Sequence, residues 1–256
     1  MSNTPETLPI LYRDENILAV NKPCGLLVHR SPIDRHETRF AIQILRDQIG
    51  QYVYPAHRLD KPTSGVLLFA LNPEVASQLG QVFQQHQISK SYLAVLRGYC
   101  PTSGHIDYAL TEEPDKRIAR SKPAVPQEAI TDFQCLATYE LDAQIETYPQ
   151  SRYSLALAQP KTGRRHQLRR HFKHISHPII GDAKHGRGRH NRYFAEQLNC
   201  PRLLLHAAQL RFTHPLSDAE ICVNAPLDEY FFGLAQRFNW DDKLCDDWHP
   251  EKVTKL

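Results

Sequence analysis

The chain alternates short apolar runs with turns bounded by proline and glycine, and this pattern limits how it can fold. Seven runs are typical of strands and lie at 17–20, 65–71, 92–96, 133–138, 152–158, 203–211 and 220–223. Three segments have helical spacing and lie at 73–86, 165–174 and 227–238. The first helix has Asn72 as its cap and Pro73 at its first position. Many strands with few, separated helices predict an α+β fold with a mixed, mostly antiparallel central sheet and flanking helices and loops, rather than repeated β-α-β units.

The composition excludes several classes of protein. Of 256 residues, 41% are hydrophobic and 23% are charged, which is ordinary for a soluble globular domain and excludes collagen-like, disordered and disulfide-dense chains. The six cysteines form no CxxC pair, which excludes a zinc ribbon and a thioredoxin-type site. No apolar stretch is long enough for a membrane helix, and the N-terminus lacks the pattern of a signal peptide. We therefore expect a cytoplasmic protein with no membrane contact.

The polar segment 111–128 contains three prolines and alternating charge. Such a segment is typical of an exposed loop or a hinge. Residues 1–256 are otherwise predicted to form a single domain, with no internal repeat.

Asp60 stands out because it lies between the cations Arg58 and Lys61, in a turn just before a buried strand. Nearby positive charge favours the anionic form of a carboxyl group. An anion that is partly shielded from water can act as a nucleophile or a base. The alternative is a turn residue that caps the start of the strand, with all three charges in solvent.

Positive charge is concentrated at 161–174, where six basic residues and three histidines fall within fourteen positions. A helix at 165–174 would align Arg165, Arg169 and Lys173 on one stripe, where like charges repel. We therefore expect an anionic partner for this stripe, either a carboxylate or the phosphates of RNA. The next segment, 176–192, has the glycines of a loop and further cations that could hold phosphates. The alternative for both segments is a solvated basic surface.

Histidines at 171, 174, 177, 185 and 190 raise the question of a metal site. Their spacing fits no common ligand set, and no HExxH motif is present, so we predict no metal. The chain also lacks GxGxxG, GxxxxGK[ST] and GxSxG. Nucleotide cofactors and a serine nucleophile therefore have no support.

Five segments resemble, in order, the motifs of the RluA-type family of RNA pseudouridine synthases. They lie at 21–29, 57–65, 90–98, 162–169 and 177–182, and the resemblance covers about residues 10–225. It implies the fold of that family and an isomerase that converts uridine to pseudouridine without a cofactor. It also implies a single catalytic domain with no N-terminal S4-type domain.

The resemblance also implies roles for individual residues. Asp60 would be the reacting carboxylate, as a nucleophile or as the base that starts a glycal route, and Tyr92 would stack on the uracil. Arg169 would be the buried cation beside Asp60, with Arg164 as the alternative. Arg58 would fill the space left by the flipped base. The cations expected to bind RNA are Arg58, Lys61, Lys161, Arg164, Arg165, Arg170, Lys173, Lys184, Arg187, Arg189 and Arg192.

Segments 28–31, 84–88, 184–186 and 191–192 are similar to one branch of the family, which modifies the uridine at position 65 of tRNA. The expected partner is therefore tRNA, bound by a monomer with no protein partner. The alternatives are a ribosomal RNA pseudouridine synthase, a non-catalytic RNA-binding protein on the same scaffold, and a metal-dependent hydrolase that uses the histidines.

Overall fold

The computed structural model describes residues 6–30, 36–111 and 125–252. These residues divide into two compact units. Unit 1 holds the described residues of Met1–Ser89, His206–Glu229 and Leu244–Leu256, and unit 2 holds those of Lys90–Leu205 and Tyr230–Lys243. None of the helices in the described ranges is long and apolar enough to cross a membrane.

The described ranges contain twelve strands and five α-helices. The strands are β1 (Ile10–Arg13), β2 (Ile17–Lys22), β3 (Tyr54–Pro55), β4 (Ser64–Ala70), β5 (Ser89–Arg97), β6 (Ser103–Asp107), β7 (Leu110–Thr111), β8 (Pro126–Gln127), β9 (Ile130–Leu141), β10 (Ser151–Pro160), β11 (Leu205–Thr213) and β12 (Glu220–Asn224). The helices are α1 (Ala41–Ile49), α2 (Pro73–Gln84), α3 (Gln167–His174), α4 (Gly188–Gln197) and α5 (Glu229–Arg237). The fold class predicted from the sequence, α+β with a mixed, mostly antiparallel sheet, is confirmed.

In unit 1 the strands follow the order β1-β2-β4-β11-β12, and β3 pairs with β4. The pairings are antiparallel, except that β4 runs parallel to β11. Every residue of β4 is buried, which explains why its sequence is a continuous apolar run. The Asn72 side chain caps α2 by accepting a hydrogen bond from Val75 N at 2.9 Å, as predicted. Val75 and Leu79 then pack against Leu68 in the core.

In unit 2 the strands follow the order β5-β10-β9-β6, all antiparallel, and β7 pairs with β8 as a short separate ribbon. Helix α3 packs through Phe172, which meets Phe133 of β9 edge to face at 5.5 Å. Ala94 and Leu96 of β5 belong to the same buried cluster. This packing fixes the helix that carries the basic segment against the strand that carries Tyr92.

The structure corrects two sequence predictions. The helix predicted at 165–174 begins at Gln167, because His166 has a left-handed backbone (φ 55°), so Arg165 lies outside it. Segment 176–192 is not entirely loop, since α4 begins at Gly188 and buries His190 and Phe194 four residues apart. Beyond residue 240, short 3₁₀ turns bury Trp248.

The predicted loop or hinge at 111–128 falls mostly on residues 112–124, which lie outside the described residues. The short β7–β8 ribbon flanks them. The prediction of a single catalytic domain at 1–256 without an S4-type domain stays a prediction.

A methyl group at position 65 should disturb the parallel contact between β4 and β11. Gly65 has φ +111°, and an added Cβ would lie 2.2 Å from Ala207 O. We expect Gly65→Ala to lower the free energy of unfolding by roughly 1–3 kcal/mol, because backbone atoms must move apart. Gly233→Ala is the matched control, since Gly233 lies in α5 with no atom within 4 Å of its added Cβ. That control should raise stability by about 0.5–1 kcal/mol. Urea unfolding measures both, and equal stabilities would contradict the account.

Candidate active site

Asp60 lies on the turn between β3 and β4. Pairing with β4 continues past β3, because Ala56 N donates to Leu68 O (2.9 Å) and Leu68 N donates to His57 Nε2 (3.1 Å). Thr63 N then donates to Asp60 O (3.0 Å), which closes the turn. Asp60 itself is half-buried. The backbone is thus held on both sides of Asp60, and this fixes the position from which its carboxylate extends.

Lys22, at the end of β2, is completely buried against this turn. Its ammonium donates to the carbonyls of Pro23 (2.9 Å), Leu26 (2.8 Å) and Lys61 (3.3 Å). Gly25 N donates to the same Lys61 carbonyl at 2.9 Å. The segment at 21–29 therefore stabilises the backbone beside Asp60. No motif in the sequence assigned this role to Lys22, and its only local signal is its position directly after a buried apolar strand.

The chain leaves the turn through a buried hydrogen-bonded pair. His206 Nε2 lies 3.0 Å from Ala225 O, and since a carbonyl can only accept, this nitrogen carries the hydrogen. His206 Nδ1 is then the acceptor for the Ser64 hydroxyl at 2.7 Å. This pair ties the first residue of β4 to β11, so the turn that carries Asp60 ends on a rigid strand.

In unit 2, Tyr92 lies on β5 directly opposite Ala158 of β10 and is half-buried. Lys90, two residues earlier on the same face, donates from Nζ to Thr162 O at 3.1 Å. Burial lowers the pKa of Lys90 to about 8. The strand that carries Tyr92 is thus fastened to the segment that precedes α3.

Arg169 of α3 is buried and forms a bidentate ion pair with Asp182. Arg169 Nε donates to Asp182 Oδ2 and its terminal nitrogen donates to Oδ1, both at 2.8 Å. Asp182 Oδ1 also accepts from the backbone N–H groups of Lys184 and His185 at 2.9 Å each. The expected anionic partner of the basic stripe is therefore, for Arg169, a carboxylate. Asp182 ends the 177–182 segment, and the sequence pattern of that segment did not indicate this role.

The Asp182 carboxylate is held as an anion by its surroundings. Burial alone raises its pKa, but the Arg169 guanidinium and the two backbone N–H donors outweigh burial, so the pKa lies below its usual 3.8. Arg169 is therefore held in one orientation by a fixed, charged partner.

Gln167 organises the start of α3. Its Oε1 accepts from the Thr162 hydroxyl (2.7 Å) and from Arg164 N (2.9 Å), and its Nε2 donates to Ile130 O (2.9 Å). These three bonds anchor the basic segment to the beginning of β9. They explain in physical terms why threonine and glutamine occur at these two places in the 162–169 segment.

The residues predicted to bind RNA fall into two groups. Four have partners that an RNA phosphate would have to displace or share: Lys61 with Glu37 (2.5 Å), Lys161 with Asp132 (3.2 Å), Arg164 Nε with Glu128 O (2.9 Å) and Arg170 with Thr111 O (2.9 Å). The second group is defined by its exposure to solvent and consists of Arg58, Arg165, Lys173, Lys184, Arg187, Arg189 and Arg192. Their binding of RNA stays a prediction.

The histidines that suggested a metal site lie in different surroundings. His171 bonds to Thr131 Oγ1 and Tyr108 O, His177 bonds to Arg97 O, and His190 bonds to the Tyr153 hydroxyl. Within the described ranges, no three His, Cys, Asp or Glu side chains come together as metal ligands. Each of these rings instead supports local packing.

Acid should destabilise the fold from pH 6.5 downwards. Burial is the main cause that lowers the pKa of both His171 and His190 below the usual 6.5. Below pH 6.5 the unfolded chain therefore binds more protons than the folded chain, and stability falls. Each histidine contributes a slope of up to about 1.4 kcal/mol per pH unit, between its folded pKa and 6.5. Urea unfolding from pH 8 to 5 measures this slope, and His171→Gln should flatten it. A slope unchanged by that substitution would contradict the assignment.

Comparison with known proteins shows which family the chain resembles. The sequence profile of the RNA pseudouridylate synthase family matches residues 16–174. The chain is 50% identical over 242 residues to tRNA pseudouridine synthase C of Vibrio parahaemolyticus, covering 94% of this chain and 98% of that one. It is 52% identical over 238 residues to the protein of the same name from Pasteurella multocida, covering 92% and 98%.

Solved structures similar to this chain come from proteins with the same family name. The human RNA pseudouridylate synthase domain containing 4 protein superposes with a TM-score of 0.66 at 26% identity, covering 90% of this chain and 92% of that one. The human RNA pseudouridylate synthase domain containing 1 protein superposes with a TM-score of 0.65 at 26% identity, covering 92% of this chain and 96% of that one. Because the family profile, the curated relatives and the solved folds agree, this chain belongs to the RNA pseudouridylate synthase family and is an RluA-type pseudouridine synthase, an isomerase.

Proposed function

We propose that the protein converts uridine to pseudouridine in tRNA, at position 65. The observation that carries the proposal is the identity of about 50% to relatives named tRNA pseudouridine synthase C over more than nine-tenths of the chain. Position 65 comes from the sequence resemblance, through the segments at 28–31, 84–88, 184–186 and 191–192.

The reaction breaks the C1′–N1 glycosidic bond, turns the uracil and forms a C1′–C5 bond. The proton on C5 is lost and N1 gains one, so the atoms balance without a redox change and without a cofactor. The reaction requires a carboxylate near C1′ and a pocket that retains the free base.

Asp60 supplies the carboxylate in this proposal, either as a nucleophile or as the base that starts a glycal route. Its support is the turn whose backbone is held by Lys22, Gly25 and Thr63. A preorganised carboxylate avoids reorganisation as the bond breaks. Tyr92 stacks on the uracil and takes part in proton movement at C5.

Arg169 is the cation assigned to the Asp60 carboxylate, with Arg164 as the alternative. The buried, bidentate pairing of Arg169 with Asp182 favours Arg169, because a fixed guanidinium keeps its charge in one place. The Nε of Arg164 instead donates a hydrogen bond to the Glu128 carbonyl. Arg169→Lys and Arg164→Lys variants, measured in parallel, distinguish the two assignments. Only the substitution of the arginine that pairs with Asp60 should lower kcat.

A uridine in a tRNA stem is paired and must leave the stack, at a cost of a few kcal/mol. Arg58 is proposed to fill the vacated space, and the exposed cations of 165–192 to hold the displaced strand by its phosphates. A cytoplasmic location and a monomeric state stay predictions.

Two tRNA transcripts test the proposed position. One carries uridine at position 65 and the other carries cytidine there, and both are incubated with the purified protein. Carbodiimide modification and primer extension should detect pseudouridine only in the uridine transcript. Modification elsewhere in both transcripts would contradict position 65. Modification of ribosomal RNA alone, in a parallel incubation, would favour the ribosomal alternative.

A further inference from the structure

Unit 2 contains a cavity of about 530 Å³ that the proposed chemistry does not use. It lies where the end of β5, the β9–β10 connection, the segment after α3 and one face of α4 meet. Its volume is in the range of pockets that take small ligands. Among the described residues that line it, the most exposed aromatic side chains are Tyr148 and Tyr99.

The floor of the cavity is rigidly built. Gly98 has φ +84°, and its missing side chain admits His177, since an added Cβ would lie 3.1 Å from His177 Nδ1. His177 Nδ1 donates to Arg97 O at 2.9 Å. Gly98 N donates to Arg152 O, and Gly98 O accepts from the Ser154 hydroxyl at 2.8 Å. These bonds fix the backbone at the floor of the cavity.

The inner wall is a polar network with a fixed charge. Arg97 donates to Glu146 Oε2 at 2.9 Å and to His190 Nε2 at 3.3 Å, and His190 Nδ1 contacts the Tyr153 hydroxyl at 2.8 Å. Burial and then Arg97 lower the pKa of His190, so this ring is neutral at pH 7. Glu146 is the one carboxylate among the described lining residues, against the two guanidiniums of Arg97 and Arg152. The charges of Arg97 and Glu146 therefore balance, and the cation at the rim is Arg152, whose own ion pair with Glu140 is exposed to solvent.

The rim combines rings with a cation. Tyr148 is 76% exposed and Tyr99 is 43% exposed. The Arg152 guanidinium lies over the Tyr99 ring, 5.2 Å from its centroid, and is oriented by Glu140 at 2.8 Å. An exposed aromatic face beside a guanidinium is the arrangement on which proteins stack unpaired bases and hold the adjoining phosphate.

We propose that this cavity binds one unpaired nucleotide of the RNA substrate, outside the site that carries Asp60. The base stacks on Tyr148 at the rim, and the adjoining phosphate faces Arg152. This inference rests on the proposed function, because it assumes an RNA substrate. The contact holds the substrate through ground and transition states alike, so it acts on KM and not on kcat.

Steady-state kinetics on a tRNA transcript with uridine at position 65 test the inference. Tyr148→Ala should raise KM about 5-fold or more, the effect of losing one base stack, with kcat unchanged. Tyr148→Phe keeps the ring and should restore the wild-type KM. Tyr52→Ala is the matched control: Tyr52 is 72% exposed with the Arg46 guanidinium 5.9 Å from its ring, but does not line the cavity. Its KM should equal that of the wild type.

Photocrosslinking gives a readout that does not depend on turnover. A 4-thiouridine-substituted transcript is bound to the Asp60→Asn variant, and the crosslinked peptide containing Tyr148 should be recovered. If the wild-type protein turns over normally and Tyr148→Ala leaves KM unchanged, the inference is wrong and the proposed function still stands. An equal rise in KM for Tyr52→Ala has the same meaning. A wild-type protein that forms no pseudouridine in the transcript overturns the proposed function, and the inference with it.

Discussion

Replacing Asp60 with asparagine is expected to abolish turnover while leaving tRNA binding within about 2-fold of wild type. The amide has the shape of the carboxylate but cannot act as an oxygen nucleophile or as a base. Loss of the reacting group of an enzyme typically lowers kcat by about four orders of magnitude or more. Because Lys22 and Gly25 hold the turn through backbone carbonyls, the asparagine should occupy the same position.

Single-turnover pseudouridine formation and filter binding at fixed salt measure the two quantities. Asp142→Asn is the control, since Asp142 is an exposed carboxylate that directly follows β9 and is not part of that turn. It should keep full activity. Wild-type rates in Asp60→Asn would show that another group carries the reaction.

Removing the Asp182 carboxylate is the second large effect that we expect. Asp182→Ala takes away the bidentate partner of Arg169 and the acceptor of two backbone N–H groups, in a site where the carboxylate has no solvent exposure. Breaking a buried ion pair on one side costs about 3–5 kcal/mol. At about 2–4 °C per kcal/mol, the melting temperature should fall by roughly 6–20 °C.

A double variant separates stability from chemistry. Arg169→Met with Asp182→Leu removes both charges, so it should recover much of the stability lost in Asp182→Ala. The double variant should be inactive, because the proposed cation is gone. Calorimetry and turnover are measured on both variants. A double variant as unstable as Asp182→Ala would contradict the ion-pair account, and an active one would remove Arg169 from the mechanism.

Local features were readable from the sequence because they depend on neighbouring residues. The Asn72 cap, the buried β4 run and the strands β5 and β10 all follow from local spacing. The position of Asp60 between a turn and a buried strand was also predicted. These signals, with the five ordered segments, were sufficient for the fold class and the family.

Long-range contacts could not be predicted from the sequence in this way. Lys22 bonds to a carbonyl 39 residues away, and nothing in its local sequence indicates that a lysine is buried there. Arg169 and Asp182 are thirteen residues apart across a helix end, so spacing alone could not pair them. Helix α4 was missed because Gly186 and Gly188 suggested a loop, although His190 and Phe194 have helical spacing. The cavity in unit 2 depends on four separate segments, and no pattern in the sequence marks it.

The most direct measurement maps pseudouridine at single-nucleotide resolution in bulk tRNA that lacks the modification, after incubation with the wild-type protein and a chelator. Carbodiimide modification and primer extension locate each new pseudouridine. The account predicts one new stop, which reports position 65. No new stop in tRNA or ribosomal RNA, from protein that melts cooperatively, would contradict the isomerase assignment and favour a protein that binds RNA without modifying it.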